Sequence, residues 1–82
     1  MPGDNAKALV EYLAEGLVDD PDAVVVERFE EEDGTIVLEL CVAPDDYGRI
    51  IGRGGRTAHA LRTLAKAAAV GDGTHLLLDI VD

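Results

Sequence analysis

The chain has 82 residues, 48% of them apolar, one cysteine and a formal net charge of −10. At this size a domain buries only roughly 60% of the surface of its unfolded chain, so a single domain over 1–82 with one modest core is expected, without room for a deep, enclosed catalytic pocket. The lone Cys41 excludes an internal disulfide and a thiolate zinc site, and it is read as a small buried hydrophobe in a strand. The amino end lacks the basic and apolar regions of a signal peptide. The apolar runs fall far short of the ~20 residues that span a membrane, and a cytoplasmic location is therefore expected.

The charge is unevenly spread. All 17 acidic residues lie in 1–48 or 72–82, and none falls between Arg49 and Gly71. That acid-free stretch holds Arg49, Arg53, Arg56, Arg62 and Lys66, five of the seven basic residues. Charges more than a Debye length apart, about 8 Å at physiological salt, are largely screened. A local basic patch can therefore bind a polyanion in spite of the total, while the acidic remainder opposes loose, non-specific binding.

In chain order, Ala6, Leu9, Val10, Leu13 and Leu17 form one helical stripe. Asp4 or Asn5 can cap that helix, and Asp20 before Pro21 is driven out of helical geometry. Ala23 to Glu30 reads as a strand, rich in β-branched residues. Glu31-Glu32-Asp33-Gly34 is a turn, and Thr35 to Val42 is a second strand that alternates Ile36, Leu38, Leu40 and Val42 against Thr35, Val37, Glu39 and Cys41. The two strands predict an antiparallel hairpin. Ala43-Pro44-Asp45-Asp46 starts a short helix, with proline at its first position and acids at its positive end. After Gly52-Arg53-Gly54-Gly55 comes a second helix with Ala58, Leu61, Leu64, Ala65 and Ala68 on its buried face, and then a strand from His75 to Val81. The last strand returns through a helical pair, so it is expected to lie parallel to a neighbour. The expected fold class is α+β: a two-layer sandwich of order α-β-β-α-α-β, with a three-stranded mixed sheet and helices on one face.

The turn Gly52-Arg53-Gly54-Gly55 carries the chemistry. Glycines let a ligand approach the backbone with no Cβ in the way. The first N–H groups of the following helix lack partners inside it, and with the positive dipole end they form an anion site. Arg53 and Arg56 add forked donors suited to phosphate. The flanks are apolar, Ile50 and Ile51 before and Ala58 after. Other glycine motifs do not fit. A P-loop needs Gly-Lys followed by Ser or Thr, and a dinucleotide fingerprint needs glycine where Thr57 stands, so no cofactor is expected. The alternative is a helix-turn-helix corner that merely needs glycine; the clustered arginines and the exclusion of acids argue for the anion site.

Ile50-Ile51-Gly52-Arg53-Gly54-Gly55-Arg56 resembles the signature loop of KH domains, Ile-Gly-x-x-Gly between two helices, which clamps four backbone nucleotides. The element order looks like the type II KH arrangement over 6–81. The segments 42–52, 61–64 and 79–82 are similar to the small, stand-alone bacterial KH proteins of the KhpA type. The resemblance implies single-stranded RNA lying across the loop, with its bases in a groove beside the two helices. By position, Gly52 and Gly55 are the fixed glycines, Arg53 and Gly54 the variable pair, and Ile50 or Ile51 would line or support the groove. Ala58 departs from the larger aliphatic residue that many KH domains carry there, which makes the groove shallower. The resemblance also implies self-association, or pairing with a larger KH-containing protein of the KhpB type, and a role as a post-transcriptional regulator or RNA chaperone.

The candidate RNA-binding residues are thus Arg49, Ile50, Ile51, Gly52, Arg53, Gly54, Gly55 and Arg56. His59, Arg62 and Lys66, at i, i+3 and i+7, are a possible extension or a solvated helix face. Two separate histidines without a cysteine pair do not make a metal site. Tyr12 and Tyr47 are too far apart in sequence to suggest an aromatic platform, so aliphatic packing of bases is expected. A second reading is an interaction subunit, using one face of the sheet and the first helix as a dimer surface. Catalysis is the weakest reading. It needs a base or nucleophile near the bound phosphate, and only Asp45 and Asp46 could approach, so no enzymatic activity is expected.

Overall fold

The computed structural model describes all 82 residues. Helix α1 (Asp4–Leu17) is followed by a 3-10 turn (Pro21–Ala23) and the hairpin β1 (Val25–Glu30) and β2 (Ile36–Cys41). A second 3-10 turn (Pro44–Asp46) leads into the short helix α2 (Tyr47–Ile51). A third (Arg53–Gly55) joins it to α3 (Arg56–Gly71), and β3 (Leu76–Val81) closes the chain. The sheet order is β1-β2-β3, with β1 antiparallel and β3 parallel to the central β2. This is the mixed α+β sandwich expected from the alternation of the strands and from the helical return to the last one.

The strands place their apolar residues as the period-2 pattern requires. Ile36, Leu38 and Leu40 are wholly buried, and Leu76, Leu78 and Ile80 lie beside them on the same face. Helices α1 and α3 pack against each other as well as on the sheet, and here the expected stripes shift. On α1 the buried positions are Ala6, Val10 and Ala14; on α3 they are Ala58, Leu61, Ala65 and Ala69. Small side chains let two helix axes approach closely, and the alanine-rich faces turn inward. Leu17 and Leu64, both expected in the core, are left 39% and 47% exposed. Cys41 also departs from expectation: it sits half-buried on the outer face of the sheet, because Leu40 takes the core position in the alternation.

Asp4 lies inside α1, and the preceding residue, Gly3, has a left-handed backbone with no side-chain cap. Asp20 leaves helical geometry before Pro21, at φ −117° and ψ 81°. The exposed edge of β3 is partly covered by Arg62, whose Nε donates to the Leu78 carbonyl at 3.2 Å. A charged side chain on a strand edge discourages pairing with another chain.

Candidate nucleic-acid interface

The glycine turn sits where two helices meet, and its backbone depends on glycine. Gly52 has φ 76° and ψ 171°, Gly54 has φ 65°, and Gly55, the residue before α3, has φ 78°. Side chains disfavour these values. Gly52 has a steric reason as well: a Cβ there would stand 2.8 Å from the Thr57 Cβ and 2.9 Å from the Thr57 nitrogen. At Gly54 and Gly55 a Cβ would meet nothing within 4 Å. One glycine is thus packed against the start of α3, while Gly54 is exposed and Gly55 half-buried with open space at its Cβ position.

The amino end of α3 has no side-chain cap and no acid in its first turn. The helix runs for 16 residues, long enough to direct a full dipole at that end. Arg53 and Arg56 flank it, exposed and in no ion pair. The N–H groups of Gly55 and Arg56 donate to the Gly52 and Arg53 carbonyls within the turn, so the two free guanidinium groups and the positive end of the α3 dipole are what this corner offers to an anion. An extended phosphate chain fits that combination.

The structure divides the remaining predicted residues. Ile50 is wholly buried, so it supports the loop from within the core and presents nothing to solvent. Ile51 is half-buried and packs at the edge of that core. Arg49 is engaged with carboxylates: its Nη2 donates to Asp19 at 3.1 Å and its Nε lies 3.6 Å from Asp46. Its charge is already matched by two carboxylates. Arg62 is spent on the β3 edge, while His59 and Lys66 stay exposed along α3 without ion pairs.

Two features were not legible in the sequence. Asp46 is 2% exposed, and its two oxygens accept the N–H groups of Asp19 and Asp20 at 3.1 Å each. It ties the start of α2 to the chain leaving α1 and is not free to approach a ligand on the loop. The only trace in the sequence is Arg49 three residues after Asp46. The second feature is a groove of about 740 Å³ between α1 and α3, walled by Tyr12, Leu13, Leu17, Ala60 and Leu64 and reaching Arg56. Tyr12 is 75% exposed there. No group of three or more His, Cys, Asp or Glu side chains is placed to hold a metal ion, and no helix is long and apolar enough to cross a membrane.

Three parallel and antiparallel strands under two long helices, with a glycine turn between α2 and α3, define a KH-like fold in the type II order. The family model described as "KhpA/KhpB, KH domain" matches residues 7–80. The RNA-binding protein KhpA of Halalkalibacterium halodurans is 49% identical over 77 residues, covering 93% of this chain and 99% of that protein. The RNA-binding protein KhpA of Mycobacterium tuberculosis is 51% identical over 73 residues, covering 89% and 86%. The chain belongs to the KhpA/KhpB family of KH-domain proteins. In fold alone it also resembles Era, in a crystal structure with MgGDPNP and nucleotides 1506–1542 of 16S ribosomal RNA. The TM-score is 0.62 at 20% identity, over 92% of this chain but only 28% of Era.

Proposed function

We propose that the chain binds single-stranded RNA without transforming it, holding the RNA backbone on Gly52-Arg53-Gly54-Gly55 and on the amino end of α3. The observation that carries this reading is the uncapped, acid-free start of α3 flanked by the unpaired Arg53 and Arg56. The family relatives, which are named RNA-binding proteins, support it. Ile51 and the aliphatic edge of the core offer packing for bases, and His59 and Lys66 extend the positive face. Regulation or chaperoning of RNA in the cytoplasm is the setting that such a sequence-tolerant clamp serves.

The test is a salt titration of single-stranded RNA binding. Neutralising three or four phosphates gives log affinity against log salt a slope of about −2 to −3, at ~0.7 per phosphate. Replacing Arg53→Asp together with Gly54→Asp is expected to weaken binding at least about a hundredfold, since charge-assisted hydrogen bonds contribute ~1.5–3 kcal/mol each. The circular dichroism should not change, because Gly54 faces open space and aspartate tolerates left-handed geometry. RNA binding retained by that folded variant would overturn the site.

A second reading, association with another KH protein, is favoured by the apolar groove between α1 and α3. Tyr12 and Leu64 stand exposed on its walls, and exposed apolar patches mark interaction sites. A second copy of the chain, or a larger KH-containing protein of the KhpB type, would cover it and strengthen a weak RNA site through avidity. Sedimentation of the wild type beside Leu64→Glu tests self-association, with the wild type expected as a dimer and the variant as a monomer. Pull-down with a KhpB-type protein tests the other partner.

A further inference from the structure

The face of the sheet turned away from the helices is uncovered. Glu27 lies opposite Glu39 and Glu39 opposite Asp79, so three carboxylates form one row straight across the three strands. Like charges directly opposite each other destabilise a sheet, and no cation of the chain offsets this row. The side-chain ion pairs are Arg28 with Glu30, and Arg49 with Asp19 and Asp46. One pleat away on either side the face turns apolar. Val25 is 48% exposed in one flanking row, and Phe29 and Leu77 are 46% and 52% exposed in the other.

We propose that this face docks a protein partner through a cationic amphipathic helix. Arg or Lys side chains of the partner lie over Glu27, Glu39 and Asp79, and its apolar side chains rest on Val25, Phe29 and Leu77. Charge complementarity selects this occupant. Strands about 4.8 Å apart give the acid row a span of roughly 10 Å, close to two turns of helix. Positions i, i+4 and i+7 recur on one helix face at a matching ~5–6 Å step. The carboxylates do not converge as a metal site, so separate cationic side chains fit the row and a single ion does not. An RNA backbone is repelled by it. A second copy pairing sheet to sheet would set carboxylates against carboxylates. The apolar flanks give a docked helix buried contact that a diffuse counterion cloud lacks. The surface uses none of the loop residues, so the proposal stands independently of the RNA reading and allows RNA and protein to be held together.

The experiment titrates the full, nitrogen-15-labelled chain with a synthetic amphipathic peptide of about four helical turns. It carries Arg at i, i+4 and i+7, with leucines on both sides of that stripe. Amide shifts are expected at Val25, Glu27, Phe29, Glu39, Leu77 and Asp79. The variant Glu27→Gln/Glu39→Gln/Asp79→Asn should bind at least about tenfold more weakly while melting no lower than wild type, since it loses only like-charge repulsion. The control Asp22→Asn/Glu31→Gln/Glu32→Gln removes the same net charge elsewhere and should cost less than about twofold. Equal weakening in the control, or shifts that map to the α1–α3 groove or scatter over the surface, would overturn the proposal.

Discussion

Helices α1 and α3 begin alike and differ in what their first turns attract. Each follows a left-handed glycine, Gly3 at φ 84° and Gly55 at φ 78°, and neither has a side-chain cap. In α1 the first turn holds Asp4, whose carboxylate meets the chain's amino group at 2.9 Å. That hydrogen bond holds the Asp4 carboxyl below the ordinary aspartate range. The positive end of α1 is thus neutralised within the chain. In α3 no acid is present, and Arg56 and Arg53 stand beside the same dipole end. A helix start is a general anion site; here the local charges neutralise the start of α1 and leave that of α3 electropositive.

The largest expected effect tests whether the two starts are equally rigid. Gly52→Ala would force a Cβ against the Thr57 backbone in a left-handed conformation, and is expected to cost about 2–4 kcal/mol in denaturant unfolding along with loss of RNA binding. Gly3→Ala meets only the Ile36 side chain, at 2.9 Å, and is expected to cost about 1–3 kcal/mol with RNA binding kept by the folded fraction. Next comes Asp46→Ala, which strands two N–H groups and should destabilise by about 2–3 kcal/mol; Asp46→Asn should restore part of this, read by the same unfolding curves. A finer test separates the arginines. Arg53→Ala and Arg56→Ala should each make the salt slope of RNA binding shallower by ~0.7, whereas Arg49→Ala, already paired to Asp19 and Asp46, should leave it unchanged.

The smallest effect concerns acid. Asp33 accepts the Thr35 N–H at 2.9 Å, and that bond lowers its carboxyl below the ordinary range. A lowered folded value means the stabilisation is complete above the unfolded value, about 3.9, and is lost as pH falls through the folded one. Asp33→Asn should therefore flatten the fall of the melting temperature slightly between about pH 5 and pH 2.

Much of the fold is legible in residue order. Ile36, Leu38 and Leu40 alternate strictly, and a period of two leaves no other face for them. The prolines at 21 and 44 each open a 3-10 turn, because proline fixes its own φ and restricts the residue before it; α1 has already ended at Leu17, with Val18 extended. The stripes of α1 and α3 were less legible. Hydropathy ranks leucine above alanine, but the contact between the helices is set by how closely their axes approach, which favours Ala14 and Ala69 over Leu17 and Leu64. The glycine spacing is legible in the sequence, but that Gly52 is the member pressed against Thr57 is visible only in the folded chain.

The sequence by itself determined the segregation of charge, the acid-free stretch from 49 to 71 and the glycine spacing, because these are properties of residue order. Only the tertiary structure decided which arginines stay free. Asp19 and Asp46 are 30 and three residues from Arg49 along the chain, and folding brings both to it, while Arg62 is drawn to the edge of β3. Folding likewise aligned Glu27, Glu39 and Asp79 across three strands, since strand register joins residues that sequence distance keeps apart.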